Sequence, residues 1–503
     1  MIPCRSLCLA ARLSTLLAIC VTSLCHPFPT YQEKFFNQTL DHFHPESKAT
    51  WLQRYLYNDV HWTGSGRLIN GCRGPILFYT GNEGDITDFW GVNGFMIETL
   101  APKWGALLVF PEARYFGKSL PFGDASYTAE NLVYLSTEQI LEDYVKLLNF
   151  VKKSVRAAHN CPVVAFGGSY GGTLTTFLRV AYPSVVVGGL ASSAPIGYYD
   201  KDGWSAHNVT EYTWSDIATG NYAKLSGVFT HPRCLDAIQA ASIAIDATPI
   251  REVVDAFHVC SAAALGPNVP SELFAYALES LPQMNYPYPI GSRPAWPVRQ
   301  VCDIMVAAGG SAAELIRAAA NVTDTFFGWD GKNCIPALPE GPGGVPGDGP
   351  GPGPWGWQSC TENLHEFSAR GLRNYSFDLE RSARAPCREL FNGTVTPATS
   401  ALADRFGGYK IPFSGVTNLI WSNGGLDPWH GGGFLPWFPP ASGSEAQSNH
   451  RIFMPNAAHH LDLRGPHPDD PPDVTNARIL EEKVIWGWIV EASKKESPSS
   501  AVW

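Results

Sequence analysis

The sequence is short of basic charge. Lys and Arg number 36 against 46 Asp and Glu, a formal net charge of −10 over 503 residues. That deficit excludes a basic groove for a phosphate backbone, so no nucleic-acid partner is expected. Long apolar runs are scarce as well. The one of note, "LSTLLAICVTSLC", lies in the first 25 residues, where Arg5 and Arg12 are the only charges. It has the length of a secretory signal cleaved near Cys25, and it falls short of the ~18 uncharged residues that a membrane anchor needs. Residues 1–25 are therefore expected to be a signal peptide, with no membrane span after its removal. The chain should enter the secretory pathway and be secreted or lysosomal/vacuolar. Metal-ligand spacing is missing too. Four of the twelve cysteines leave with the signal. The other eight, Cys72, Cys161, Cys234, Cys260, Cys302, Cys334, Cys360 and Cys387, show no zinc pattern. No metal and no cofactor is expected, and an even cysteine count in a secreted chain points to disulfides. Sequons at Asn37, Asn208, Asn321, Asn374 and Asn392 are glycosylation candidates on that route.

What is present is an alternation of strands and helices. "PILFYTGNEGD" reads as a buried strand entering a glycine-rich loop, and "GALLVFPEARYFGKS" repeats the form. "LSTEQILEDYVKLLNFVKKSV" reads as a helix, with Ser136 to Gln139 as a capping box. "CPVVAFGGS" is a strand, and "GGTLTTFLRVAY" a helix that places Leu174, Phe177, Leu178 and Ala181 on one face. "VVVGGLASSAP" is another strand. This order indicates an α/β protein with a parallel sheet. After about residue 195 the pattern turns helical, and six of the eight mature cysteines fall between 234 and 387. Within that stretch "PALPEGPGGVPGDGPGPGPWGW" (336–357) is too rich in Gly and Pro to pack and reads as a flexible loop. Strand signals return at "VTNLIWSNGG" and "HRIFMPNAAHH", and a last helix over roughly 473–494 turns Ile485, Trp488 and Ile489 to a core. The layout is one α/β domain in two parts, 26–195 and 396–503, interrupted by a helical, disulfide-stapled cap at 196–395. No internal repeat stands out.

The pattern G-x-S-x-G at Gly167, Ser169 and Gly171 sits where strand passes to helix. In a nucleophile elbow the serine occupies a sharp, strained turn, and its neighbours two positions away must be small for the turn to close. A serine hydroxyl needs a base, and the base an orienting acid. In an α/β-hydrolase these follow in the order Ser, Asp, His after late strands. Asp427 in "SNGGLDPWHGGG" fits the acid, and His459 or His460 in "AAHHLDLR" fits the base. Asp462 is a rival acid that breaks the order. The oxyanion hole should use the backbone N–H of Tyr170 and a donor from "GNEGD", either Asn82 or Glu83. In this fold the strand before that loop neighbours the strand before the elbow. Gly81 lies nine residues past Cys72 and Ser169 eight past Cys161, so these two cysteines should meet and bond, with the other six pairing inside the insert.

Together "FYTGNEGD", "GALLVF-E-RY-GKS", "FGGSYGG", "SNGGLDPW" and "AHHLDLR" resemble the serine peptidase family of dipeptidyl peptidase II and lysosomal Pro-X carboxypeptidase, over nearly the whole mature chain. The resemblance implies an α/β-hydrolase domain capped by a helical insert, and cleavage after proline near a peptide end. It carries over a triad of Ser169, Asp427 and His459. The base then falls on the first histidine. Neighbouring residues of an extended loop point apart, so His460 should pack or hydrogen-bond behind the loop. "MNYPYP" and "HHLDLRGPHPDDP" look closer to dipeptidyl peptidase II, while "PAWPVRQVC" also resembles the carboxypeptidase branch. The chain departs from the family at Ala113, where a histidine is usual. It departs again at the Gly/Pro loop, which replaces cap sequence that in the dipeptidyl branch carries an acid for the substrate amine.

The leading expectation is a serine exopeptidase releasing N-terminal Xaa-Pro dipeptides through an acyl-enzyme, with a Pro-Xaa carboxypeptidase as the alternative. Its partners would be peptides with proline near a terminus, and a homodimer is the assembly considered. A terminal amine calls for a carboxylate, with Glu83 and Asp85 nearest. A terminal carboxylate calls for a cationic pocket. Tyr286, Tyr288 or Trp296 would line the proline slot. A lipase or esterase on the same fold, or a hydrolase-fold binding protein without activity, are the lesser readings.

Overall fold

The computed structural model describes residues 29–494 apart from 45, 63–71, 224–230, 260–268, 292, 328–352 and 439–446. The expected signal peptide, Cys260, Cys334 and most of the Gly/Pro loop lie outside the described residues. Eight strands build one sheet. They are β1 (Gln32–Thr39), β2 (Thr50–Asn58), β3 (Ile76–Tyr79), β4 (Leu107–Pro111), β5 (Val163–Gly168), β6 (Gly188–Ser192), β7 (Leu419–Gly424) and β8 (His450–Met454). Their spatial order is β1-β2-β4-β3-β5-β6-β7-β8. The pairs β1/β2 and β2/β4 are antiparallel, and every pair from β4 to β8 is parallel. Every residue of β3 to β7 is buried. A sheet covered on both faces demands this, which is why these strands read as short apolar runs.

Helix α1 (Thr137–Ser154) starts at Ser136, whose hydroxyl accepts the N–H of Gln139 at 3.3 Å. Only half of the expected capping box forms. The Gln139 side chain turns away and bonds Asp41 and the N–H of His42. Helix α2 (Tyr170–Ala181) is buried around its whole girth from Tyr170 to Arg179, not on one face, and Ala181 is exposed at its end. Its glycines and small residues fit a helix enclosed on all sides.

Between β6 and β7 the described chain adds no strand to the sheet. It forms helices that include α3 (Thr213–Gly220), α4 (Cys234–Ala247), α5 (Val269–Ser280), α6 (Pro297–Ala307), α7 (Ala312–Phe327) and α8 (Pro354–Thr361). Cys234–Cys302 staples α4 to α6, and Cys360–Cys387 ties α8 to the short helix Ala385–Leu390. Cys72–Cys161 joins the starts of β3 and β5, with Cα atoms 5.2 Å apart, because Ile76 pairs with Val163. The last helix, α9 (Pro472–Lys494), buries Ile485, Trp488 and Ile489 against the sheet. This is an α/β-hydrolase fold with a large helical, disulfide-containing cap.

One expectation for the cap is overturned. The end of the 336–357 segment is not a loop: residues 354–357 open α8, and Trp357 is buried. Pro354 stands in the first turn, where a missing N–H costs nothing. Two indole rings then supply enough apolar surface to hold the turn in place.

Candidate active site

Strand β5 ends in a backbone that few side chains tolerate. Ser169 has φ 59° and ψ −128°, a conformation that costs of order 1–3 kcal/mol and persists only where the surroundings hold it. They do. The Ser169 N–H donates to Ser192 O at 2.9 Å, and the Thr173 N–H donates to Ser169 O at 3.1 Å. The flanking glycines are required by contact. A Cβ on Gly167 would lie 2.1 Å from Gly171 O, and one on Gly171 would lie 2.8 Å from Thr80 O. The Thr80 hydroxyl also donates to Gly171 O at 2.7 Å, binding the elbow to the loop after β3. Ser169 is partly exposed and lines a cavity of about 600 Å³.

Asp427 follows β7 and caps the short turn Pro428–Gly432. It is fully buried. One carboxylate oxygen accepts the Trp429 N–H at 3.1 Å, and the other meets His459 Nδ1 at 2.7 Å. With Nδ1–H given to a carboxylate, Nε2 is left as the acceptor, the tautomer a general base needs. His459 is held from the cap side too. Its N–H donates to Gln283 O at 3.0 Å, and its C=O accepts the Tyr286 hydroxyl at 3.0 Å. His459 and Ser169 line the same cavity. Tyr170 occupies the first position of α2, where a backbone N–H has no partner within the helix and points at the positive end of its dipole. Asn82 and Glu83 line the cavity beside it.

His460 differs from expectation. It too lines the cavity, with its ring 4.4 Å from that of His459. The alternation of an extended loop does not apply, because His460 has φ 37° and its N–H is turned to the Ser193 hydroxyl. Burial, with His459 and Arg464 close by, drives its pKa well below the usual histidine value, so it stays neutral. Asp462 serves the sheet instead of the base. It accepts the hydroxyls of Ser192 at 2.6 Å and Ser422 at 2.5 Å, bracketing β6 to β7.

The candidate substrate contacts divide. Tyr286, Tyr288 and Glu83 line the cavity. Asp85 and Trp296 do not. Asp85 caps the helix that begins at Ile86 and pairs with Arg54 at 2.6 Å. Trp296 caps α6 in a left-handed conformation, its N–H on Tyr286 O. Glu83 accepts the Asn82 amide at 2.8 Å, yet burial outweighs that bond and His459, and its pKa is raised.

Sequence reasoning missed the cations. Arg293 and Arg464 both line the cavity, and the Nε of each is buried with no hydrogen-bond partner among the described residues. Arg464 lies over the Tyr286 ring at 4.1 Å. It stands at the end of "AHHLDLR", so a signal existed; nothing around Arg293 marks it. Trp355, Trp429, Gln283 and Met284 also line the cavity. A strained serine and a histidine held by a buried aspartate line one cavity, and a helix-start N–H follows the serine directly; these are parts of acyl transfer through a covalent intermediate.

Comparison with known proteins agrees with that chemistry. The family described as Serine carboxypeptidase S28 matches residues 38–481. The Lysosomal Pro-X carboxypeptidase of Mus musculus is 33% identical over 477 residues, covering 92% of this chain and 90% of its own. That of Homo sapiens is 33% identical, covering 93% and 90%. The Thymus-specific serine protease of Mus musculus is 26% identical, covering 93% and 89%. These relatives correct the closer likeness to dipeptidyl peptidase II drawn from "MNYPYP" and "HHLDLRGPHPDDP": short motifs shared across a family do not sort its branches, and the whole chain sides with the carboxypeptidases. The chain belongs to the S28 family of serine-type peptidases.

Proposed function

We propose that this peptidase is a Pro-Xaa carboxypeptidase. The observation that carries the reading is the charge of the cavity beyond Ser169. Two guanidinium groups line it, and each has a buried Nε without a hydrogen-bond partner among the described residues. An unpaired buried donor is costly, and a bound carboxylate is the ligand that satisfies it. A substrate ammonium would instead meet two like charges and a Glu83 that burial pushes toward its neutral form. The names of the 33%-identical relatives point the same way.

In this reading Ser169 Oγ attacks the prolyl carbonyl while His459 Nε2 takes its proton. Asp427 holds the imidazolium that results. The oxyanion rests on the Tyr170 N–H and that of Asn82 or Glu83. His459 then returns the proton to the amine of the leaving residue, and water releases the acyl group by the reverse route. Tyr286, Tyr288, Met284 and Trp429 offer an apolar wall to the proline ring. The cap, which we place at 196–395, closes over the site. A secretory and lysosomal location fits the relatives' names and the five sequon asparagines, all of them exposed.

The test compares three peptides: one ending in Pro-Xaa with a free carboxylate, its C-terminal amide, and an Xaa-Pro-arylamide with a free amine. Release of Xaa from the first, at a rate well above the second, is expected. Efficient cleavage of the arylamide alone would sink the reading.

A further inference from the structure

We propose that Glu83 reads the free carboxyl end of the substrate, donating the O–H of a neutral carboxylic acid to one oxygen of the leaving residue's carboxylate. The inference rests on the carboxypeptidase reading above and assigns the residue that enforces it.

The placement comes first. Glu83 lies in the loop after β3 and shares the cavity with Ser169, His459, Arg293 and Arg464. Its orientation is set by a chain of bonds. The Tyr79 hydroxyl donates to Asn82 Oδ1 at 3.0 Å. That fixes the amide, so Asn82 presents Nδ2 to Glu83 Oε2 at 2.8 Å. With Oε2 occupied by the Asn82 donor, the proton of a neutral Glu83 belongs on Oε1; the residue's own backbone N–H also bonds the carboxyl.

The surroundings favour that neutral form. Glu83 takes part in no salt bridge among the described residues. Three buried phenols, Tyr79, Tyr144 and Tyr170, stand within its field and offer no counter-charge. Its own backbone N–H, the Asn82 amide and His459 pull toward ionisation, and His459 Nδ1 is committed to Asp427. His460 faces the same cavity and is neutral. Arg293 and Arg464 line the same cavity, yet among the described residues neither is bonded to Glu83. Burial wins, and the carboxyl titrates above its ordinary range.

The chemistry then selects. A neutral acid in a cavity that two guanidinium groups also line completes a site for a carboxylate, because an O–H···O⁻ bond is among the stronger hydrogen bonds. An ionised Glu83 would repel the same ligand. Acid-ended peptides should therefore bind best below the pKa of Glu83. Their binding should weaken about tenfold per pH unit above it. A peptide ending in a neutral amide lacks the charge and should not follow that fall.

The experiment measures kcat/KM from pH 4 to pH 8, about four units, for acetyl-Ala-Pro-Phe and its C-terminal amide. The proteins are wild type, Glu83→Gln and Glu83→Ala, each checked for folding by labelling of Ser169 with a fluorophosphonate. The readout is the preference for acid over amide. In wild type it should be highest at low pH and fall as pH rises. In Glu83→Gln it should persist and become flat with pH, because an amide N–H donates without titrating. In Glu83→Ala it should drop at least about tenfold through KM, the size of one charge-assisted hydrogen bond. If Glu83→Gln keeps the wild-type fall, or if Glu83→Ala slows both peptides in parallel, Glu83 does not read the terminus and the inference alone is overturned. If wild type labels at Ser169 but releases nothing from the acid-ended peptide at any pH, the carboxypeptidase reading falls and takes the inference with it.

Discussion

Asp427→Asn probes the proposed triad through a choice of atoms. Asp427 serves two buried donors, the Trp429 N–H at 3.1 Å and His459 Nδ1 at 2.7 Å. An asparagine has one oxygen for the two. If it keeps the Trp429 bond, its NH₂ faces His459 and the imidazole must accept there. The ring proton then sits on Nε2, where it blocks the removal of the Ser169 proton. A triad in the wrong tautomer loses roughly 10⁴ in kcat, about 5.5 kcal/mol. If the amide flips, the tautomer is right but the Trp429 N–H faces a second donor. Leaving a buried donor unpaired costs ~2 kcal/mol, so the flipped state is populated at roughly one part in 30. The loss should lie between these limits. The assay is steady-state hydrolysis of a Pro-Xaa peptide at the plateau of the pH profile, with thermal unfolding beside it. We expect kcat down by at least about 30-fold, KM close to wild type and the fold intact. A folded Asp427→Asn protein keeping more than about a tenth of its kcat would refute the assignment of Asp427 as the group that orients His459.

Three further outcomes follow from the same geometry. His459→Ala should lower kcat by roughly 10⁴, while His460→Ala costs far less, since the loop is held through the backbone N–H of His460 and not through its ring; equal losses would refute the choice of base. Arg464→Met should raise KM for acid-ended peptides by about tenfold, the size of a charge-assisted hydrogen bond, and leave KM for the amide-ended analogue nearly level; parallel changes would show that Arg464 only packs on Tyr286. Replacing Cys72 and Cys161 by serine opens a loop of 89 residues and should lower unfolding free energy by ~4 kcal/mol, read from the shift of a urea midpoint; no shift would mean that the denatured chain is already compact there.

The parallel half of the sheet was legible because each strand is buried on both faces and reads as an apolar run beside a glycine-rich loop. The antiparallel edge, β1 and β2, was not. In β2 the inward position Arg54 is almost wholly buried against Glu112, while Leu52 is largely exposed. A buried ion pair breaks the alternation that would have marked the strand. The elbow announced itself because its glycines are dictated by contacts under 3 Å. His460 was misplaced because a single left-handed residue inverts the side-chain direction, and no residue type signals that at a histidine. Trp355 was hidden by its neighbours: composition averages a window, and two tryptophans at the end of a Gly/Pro tract vanish in the average. Arg293 reaches the cavity only through the fold of the cap, so no local pattern reports it.

The cap is more than a cover, because it supplies the bonds that hold the proposed base. Gln283 accepts the His459 N–H through its backbone and the Trp429 indole through its side chain at 2.9 Å. Tyr286 reaches the His459 carbonyl and carries the Arg464 guanidinium on its ring. On the other side, Gln358 of α8 donates to the Tyr170 hydroxyl at 2.8 Å, and Trp355 meets the same ring edge-on at 5.2 Å. Gln283 and Tyr286 thus hold the backbone of His459, and the residues after them in the segment 283–294 place Tyr288 and Arg293 on the cavity wall beside Tyr286. In the proposed mechanism, binding and chemistry share one support. A packing change in that segment must shift kcat and KM together, whereas a change confined to the Arg464 head group shifts KM alone. This difference separates residues that place the base from residues that read the peptide end.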